Sequence, residues 1–286
     1  MIKLLVLGAT GMLGNAMLRV FTDSPGFDAV GSARSPGGVR VLPERLRARV
    51  MTGVDVENAD ALARLIDTVR PQVVINCVGL IKQLAQANDP LTALPINALL
   101  PHRLSRLCSL VGARLVHIST DCVFSGAKGL YKEDDAPDAQ DLYGRSKLLG
   151  EVTGEAHAIT LRTSIIGHEL ASAHALVNWF LAQTGSVRGF SRAVFSGLPT
   201  AVLAEVIRDH VLPHPSLTGL YHVSAEPIDK LNLLQLVAKA YGKATEIIPD
   251  ERLVIDRSLD STRFRAATGF QPKSWPDLIE TMHQFG

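Results

Sequence analysis

The chain has 286 residues, with 29 Lys and Arg against 28 Asp and Glu, a formal net charge of +1 and 47% hydrophobic residues. That length suits one α/β domain with an appended lobe, or two modest domains. The balanced charge shows no bias towards polyanions, so neither nucleic acid nor an acidic membrane is expected as a partner.

In chain order, MIKLLVLGATGMLG reads as a buried strand running straight into glycines, without the basic region or cleavage pattern of a signal peptide. No later apolar run reaches the roughly 20 residues that a membrane span needs. A helix pattern follows through MLGNAMLRVF, then a second strand in FDAVGSAR, then a loop-like stretch from Ser35 to Leu46. ADALARLIDTVR is an amphipathic helix leading into the buried strand PQVVINCVG. Residues 90–111 read as one long helix, and ARLVHIST as the strand after it. Strands alternating with helices of this length predict right-handed crossovers and a parallel sheet covered on both faces, the doubly wound Rossmann-type α/β fold. AITLRTSII predicts one more sheet strand. Beyond it GFSRAVFSGLPT and LTGLYHVSAEP bring turns and short β patterns, with a helix in NLLQLVAKAY. The expected division is a first domain over 1–165 and a smaller C-terminal lobe over 166–286, interleaved with it.

Three cysteines, Cys77, Cys108 and Cys122, lack CxxC or Cys/His spacing, which indicates neither a disulfide framework nor a metal site and fits a reducing cytoplasm. His210 and His214, in HVLPH, read as a helix-end surface feature rather than a ligand pair.

The first chemical signal is GATGMLG, with Gly8, Gly11 and Gly14 between the first strand and the first helix. Glycines there permit a tight turn and close approach of a pyrophosphate, and the helix N-terminus offers free N–H groups to an anion. A glycine motif alone also serves as a structural turn; its place after a strand and before a helix favours a dinucleotide, with Thr10, Met12 and Leu13 sharing the loop. NAD-specific sites carry an acid at the end of the second strand, whereas an arginine accommodates the 2′-phosphate of NADP. This strand ends VGSARS, so Arg34, with Ser32 and Ser35, points to NADP(H), with NAD(H) as the alternative. Asp55 and Val56 are placed to flank an adenine, although an Asp there equally serves as a helix cap. Cys77, Val78 and Gly79 end the fourth strand, where a dinucleotide passes.

In LYGRSKLLGE, Tyr143 and Lys147 share one helical face. Such a pair alone is most often an exposed ring beside a solvated amine. Taken with GATGMLG, STDCVFSG, LRTSIIG, SGLPT and GLYHVS in this order, however, it resembles the extended short-chain dehydrogenase/reductase family. Within that family the resemblance is closest to the dTDP-4-dehydrorhamnose reductase group of nucleotide-sugar reductases, over essentially the whole chain. The resemblance implies that Tyr143 and Lys147 are the YxxxK pair and that Thr120 is the catalytic hydroxyl at the end of the fifth strand. Lys147 would then favour the Tyr143 phenolate and bind the nicotinamide ribose, while Thr120 would hold the substrate carbonyl. Asp121, Cys122, Phe124, Ile165, Pro199 and Thr200 are the expected substrate residues. Cys122 and Ile165 stand where the group usually carries aromatic side chains, which leaves the exact hexose open.

The implied activity is NADPH-dependent reduction of a 4-keto-6-deoxy nucleotide-sugar in the supply of surface polysaccharide precursors, with a homodimer compatible with it. Two alternatives stand beside it. One is an epimerase or dehydratase of the same superfamily. The other is an NADP-binding regulatory subunit like the partner of methionine adenosyltransferase.

Overall fold

A computed structural model describes residues 1–82 and 85–286. Its centre is a seven-stranded, all-parallel sheet made of β1 (Ile2–Leu7), β2 (Phe27–Ser32), β3 (Val50–Met51), β4 (Val73–Asn76), β5 (Arg114–Thr120), β6 (Ala158–Thr163) and β7 (Gly219–His222), in the order β3-β2-β1-β4-β5-β6-β7. The order reverses between β1 and β4, so a crevice opens there beyond the carboxyl ends of the strands.

The continuous apolar runs follow from burial on both sides. Along β1, Leu4 and Val6 enter one core and Leu5 and Leu7 the other, as the two-residue period of a strand requires. The first core is shared with helix α1 (Met12–Thr22), through Met17, Leu18 and Phe21. The second is closed by α2 (Ala59–Val69) and α3 (Leu100–Val111), through Leu62, Leu65, Ile66 and Leu104. The ends of α2 are set by Asn58, which accepts from the Ala61 N–H at 2.9 Å, and by Arg70 in a left-handed conformation. Residues 90–111 are helical, as expected, but the run is interrupted by a π-helical segment at Leu94–Leu99.

Two features depart from the expected layout. AITLRTSII is not one strand: β6 ends at Thr163, and Ile165–Ile166 turns away to pair with Leu198–Pro199. GLYH leaves the C-terminal lobe to become β7 at the sheet edge, with Leu220 paired to Thr160. The rest of the C-terminal portion builds small sheets around Ala193–Phe195 and Ser186–Phe190, with helices α5 (Thr200–Val206), α6 (Lys230–Ala240) and α7 (Trp275–Phe285), while helix α4 (Leu142–Leu149) lies between β5 and β6. Strand Ile255–Asp256 packs so closely on the loop after β5 that a Cβ on Gly126 would lie 2.3 Å from the Ile255 side chain. Among the described residues no helix is long and apolar enough to cross a membrane.

Candidate active site

The glycine loop is shaped by contacts that only glycine allows. Gly8 has φ +78°, and a Cβ on Gly14 would sit 2.1 Å from the Gly8 carbonyl oxygen, so α1 lies directly on the turn. Gly11 caps α1 with no side-chain acceptor, leaving the first-turn N–H groups for another partner. A turn closed on itself ahead of an uncapped helix fits a dinucleotide pyrophosphate. Leu13 is a core side chain, so only its backbone serves this loop, while Thr10 and Met12 are half-buried at its rim. Arg34 is exposed just past β2, and the Ala9 N–H donates to Ser32 O at 2.9 Å, which ties the end of β2 to the glycine loop. Asp55 is exposed, and its carboxylate accepts from the Glu57 N–H at 3.0 Å. The helix cap there is Asn58, so the capping role considered for Asp55 is filled by its neighbour. Val56 packs on the second core.

From this loop a line of contacts leads to the Tyr/Lys helix. A Cβ on Gly8 would meet the Val78 side chain at 3.1 Å and the Cys77 carbonyl at 3.4 Å, and one on Gly79 would lie 3.9 Å from Lys147 Nζ. The Cys77 thiol is pushed up to about 12 by burial, against the pull of the Lys147 charge.

Helix α4 opens on Asp141, whose carboxylate accepts from the Gly144 N–H at 2.8 Å and is paired with Lys82 at 2.6 Å. Its approach to β5 depends on Gly144: a Cβ there would be 2.2 Å from the Cys122 carbonyl oxygen. That closeness brings Tyr143 beside Thr120, whose hydroxyl acts to lower the phenol's pKa. Thr120 also donates to Asp121 Oδ1 and accepts from the Cys122 N–H, both at 3.1 Å. Lys147 is 5% exposed and donates from Nζ to the Ile118 carbonyl at 2.8 Å. Thr120, Tyr143 and Lys147 therefore meet at the carboxyl end of β5, beside the line that leads to the glycine loop.

One electrostatic expectation is corrected. The Tyr143 hydroxyl is not lowered by Lys147. Burial raises it above its ordinary value, Cys122, Asp121 and Asp141 push the same way, and the Thr120 hydroxyl opposes them. The reason is geometric, since the ammonium is committed to Ile118 O and is itself pulled down to about 8 by burial. At neutral pH Tyr143 is a protonated phenol, suited to giving a proton rather than taking one.

The expected substrate residues divide. Asp121 is 5% exposed beside Thr120, and burial raises its carboxyl above the usual range. Cys122 is half-buried there with its thiol pushed up to about 12, chiefly by burial, which makes it a small protonated side chain. Phe124 is a correction: it is fully buried and stacked on Tyr131 with centroids 4.1 Å apart, so only its backbone is free to serve the site. Its carbonyl accepts from Arg257 Nε at 2.8 Å. The GLPT turn carrying Pro199 and Thr200 is buried, with Pro199 paired to Ile166 and Ile165 to Leu198. Thr200 lines a cavity of about 70 Å³ with Met12, Asn15 and His168, on the glycine-loop side. His210 and His214 bond the Thr268 and His210 carbonyls, at 3.2 and 3.0 Å, and among the described residues no group of three or more His, Cys, Asp or Glu could hold a metal.

Sequence reasoning missed three contributors. Asn97, fully buried in the π-helical segment, accepts from the Leu80 N–H at 2.9 Å and donates to Ser146 Oγ at 3.1 Å, tying the end of β4 to α4. A π-turn inside a helix often marks a functional site, but the residues themselves carry no periodic signal for it. Lys230 and Arg257, from the C-terminal portion, act electrostatically on Asp121 and bring positive charge to the Thr120 end of the site. Their distance from Thr120 in the chain hid them.

The family model for the RmlD substrate binding domain matches residues 2–284. The dTDP-4-dehydrorhamnose reductase of Aggregatibacter actinomycetemcomitans is 23% identical over 309 aligned positions, covering 100% of this chain and 99% of that protein. Methionine adenosyltransferase 2 subunit beta of Danio rerio is 29% identical over 261, covering 86% of this chain and 76% of the relative. A crystal structure of dTDP-4-dehydrorhamnose reductase from Bacillus anthracis in complex with NADP superposes with a TM-score of 0.80 at 21% identity, covering 100% of this chain and 99% of that one. With the glycine turn, the Thr120/Tyr143/Lys147 cluster and a family match over nearly its whole length, this chain belongs to the RmlD substrate binding domain family, within the extended short-chain dehydrogenases/reductases.

Proposed function

We propose that this protein is an NADPH-dependent reductase of a 4-keto-6-deoxy sugar carried on a nucleoside diphosphate, acting in the supply of surface polysaccharide precursors. The observation that carries the reading is the meeting of the Thr120 hydroxyl and a protonated Tyr143 phenol at the end of β5, with Lys147 one helical turn further on. Bound NADPH supplies the hydride for the keto carbon. Tyr143 gives its proton to the oxygen on which charge develops, and Thr120 orients that oxygen by hydrogen bonding. Lys147 binds the ribose nearest the reacting ring. The uncapped turn Gly8–Gly14 receives the pyrophosphate, and Arg34 the 2′-phosphate. Arg257 and Lys230 place positive charge near Asp121, where the substrate diphosphate would approach. The NADP complex of the Bacillus anthracis neighbour and the reductase among the curated relatives support this reading.

The test is loss of NADPH absorbance with 4-keto-6-deoxy sugars made enzymatically from dTDP-, UDP- and GDP-hexoses. At least one should be reduced, and Tyr143→Phe should lower turnover about 10²–10⁴-fold while leaving NADPH binding nearly intact. If every substrate fails, or Tyr143→Phe keeps the wild-type rate, the reading is wrong. The likeness to methionine adenosyltransferase 2 subunit beta favours a second reading, a regulatory subunit, which the same assay separates as NADP binding without turnover.

A further inference from the structure

The segment that carries Tyr143 and Lys147 continues to Glu151, which the proposed chemistry does not use. Tyr143, Lys147 and Glu151 are spaced i, i+4 and i+8, and each meets one of three consecutive residues of β5. Tyr143 meets the Thr120 hydroxyl, Lys147 Nζ donates to the Ile118 carbonyl at 2.8 Å, and Ser119 Oγ donates to Glu151 Oε1 at 2.7 Å. The Glu151 side chain is 5% exposed and takes a two-pronged pair from Arg162 on β6, Nε to Oε1 at 2.8 Å and a terminal nitrogen to Oε2 at 2.7 Å. Arg162 continues to His222 on β7 at 3.4 Å, and His222 Nδ1 contacts the Tyr131 carbonyl at 2.9 Å. One carboxylate, two residues past the end of α4, thus ties that end of the helix to both β5 and β6, directly behind the reacting groups.

We infer that Glu151 is a positioning residue of the active site: it fixes α4 in register against β5 and keeps the side chain of Lys147 in its ammonium form. A structural ion pair alone would need only the Arg162 contact. The additional bond to Ser119, the residue before Thr120, couples the carboxylate to the strand end that holds the reacting hydroxyl.

The electrostatic setting supports the second half of the inference. Burial favours the neutral amine, and Glu151 is the foremost group acting the other way. The Cys77 thiol just past β4, pushed up to about 12 by burial, is protonated and adds no charge near neutrality. His117 on β5 faces the ammonium but is held well below its ordinary value by burial and adds no charge near neutrality. On its own helix Tyr143 is a neutral phenol. The Arg162 cation, paired to Glu151 at 2.7 Å, opposes the carboxylate, so what reaches Lys147 is the field of the pair rather than of a lone anion.

The effect on turnover rests on the reductase reading above, whereas the effect on Lys147 does not. The experiment is an NMR titration of protein carrying ε-¹³C-labelled lysine, with the Lys147 signal assigned by its loss in Lys147→Arg. The wild-type signal should titrate near 8. Glu151→Gln should move that midpoint down by about one pH unit, whereas Glu151→Asp, which keeps the charge, should stay near wild type. Because Glu151→Gln leaves Arg162 buried with a weakened partner, the double variant Glu151→Gln/Arg162→Met provides a second test free of an unpaired buried guanidinium, and its midpoint should also fall, by less than in the single variant because a cation is removed as well. The alkaline limb of NADPH-linked turnover should move down in step. An unchanged midpoint in the Gln variants, or a wild-type Lys147 titrating at its ordinary value of about 10.4, would overturn the inference. A moved midpoint with no sugar reduced would sink the reductase reading and leave the role of Glu151 standing.

Discussion

Gly144→Ala tests whether the distance between α4 and β5 sets the rate. The added Cβ would lie 2.2 Å from the Cys122 carbonyl oxygen and 2.6 Å from the Ala139 Cβ. Neither neighbour can swing aside, since one is backbone and the other is fixed to it. Reaching even a 3.0 Å separation requires α4 and the turn after Thr120 to part by roughly 0.8 Å. Tyr143, the preceding residue, moves with the helix, and a displacement of about 1 Å costs on the order of 10²-fold in rate. Turnover should therefore fall about 10²-fold, while the glycine loop, built on α1, keeps most of its affinity for NADPH. Overpacking costs about 1–3 kcal/mol, offset by about 1 kcal/mol from the better helix propensity of alanine, so Tm should drop by only a few degrees. The assay combines NADPH oxidation, a fluorescence titration of NADPH and a thermal scan. Gly154→Ala is the control, because a Cβ there meets nothing within 4 Å. If Gly144→Ala turned over within about twofold of wild type, close packing at Cys122 would not be what aligns Tyr143, and the reasoning would fail.

Two further outcomes follow from the same site. Lys147, near 8 when folded against about 10.4 when unfolded, leaves the folded chain with fewer bound protons between those values, so stability rises with pH across that window and the full cost applies below it. Lys147→Met should accordingly raise Tm at pH 7, by up to roughly 3 kcal/mol of stability less about 1 kcal/mol for the lost bond to Ile118, with the gain fading above pH 8; a lower Tm at pH 7 would refute this. Arg34→Ala should weaken NADPH binding while sparing NADH, and an unchanged ratio of the two affinities would show that Arg34 does not read the 2′-phosphate.

The parts of the fold visible in the sequence were those whose signal is local. β1, α1 and the glycine turn announce themselves within a few residues, as do the helical spacing of Tyr143 and Lys147 and the apolar runs of β4 and β5. What escaped depends on partners remote in the chain. GLYH carries the same short β pattern as its neighbours in the C-terminal portion, and only the free edge of β6 makes it the seventh strand. Phe124 looks like a pocket aromatic until Tyr131 and Arg162 close over its two sides. The rise in Tyr143 was missed because helical spacing places a lysine near a tyrosine without fixing its Nζ, which the Ile118 carbonyl captures.

The position of β7 also has a consequence for biosynthesis. Thr120, Tyr143 and Lys147 have all been made when β6 emerges from the ribosome, yet the strand that covers the edge of β6 starts only at Gly219. At ordinary elongation speeds that leaves several seconds, roughly 3–10 s, during which a fully buried strand of the finished protein has one side unpaired. An open apolar edge invites pairing with another chain. The portion bearing the reacting groups is therefore not a module that could be cut out at residue 165 and transplanted; a fragment ending there should associate with itself rather than fold.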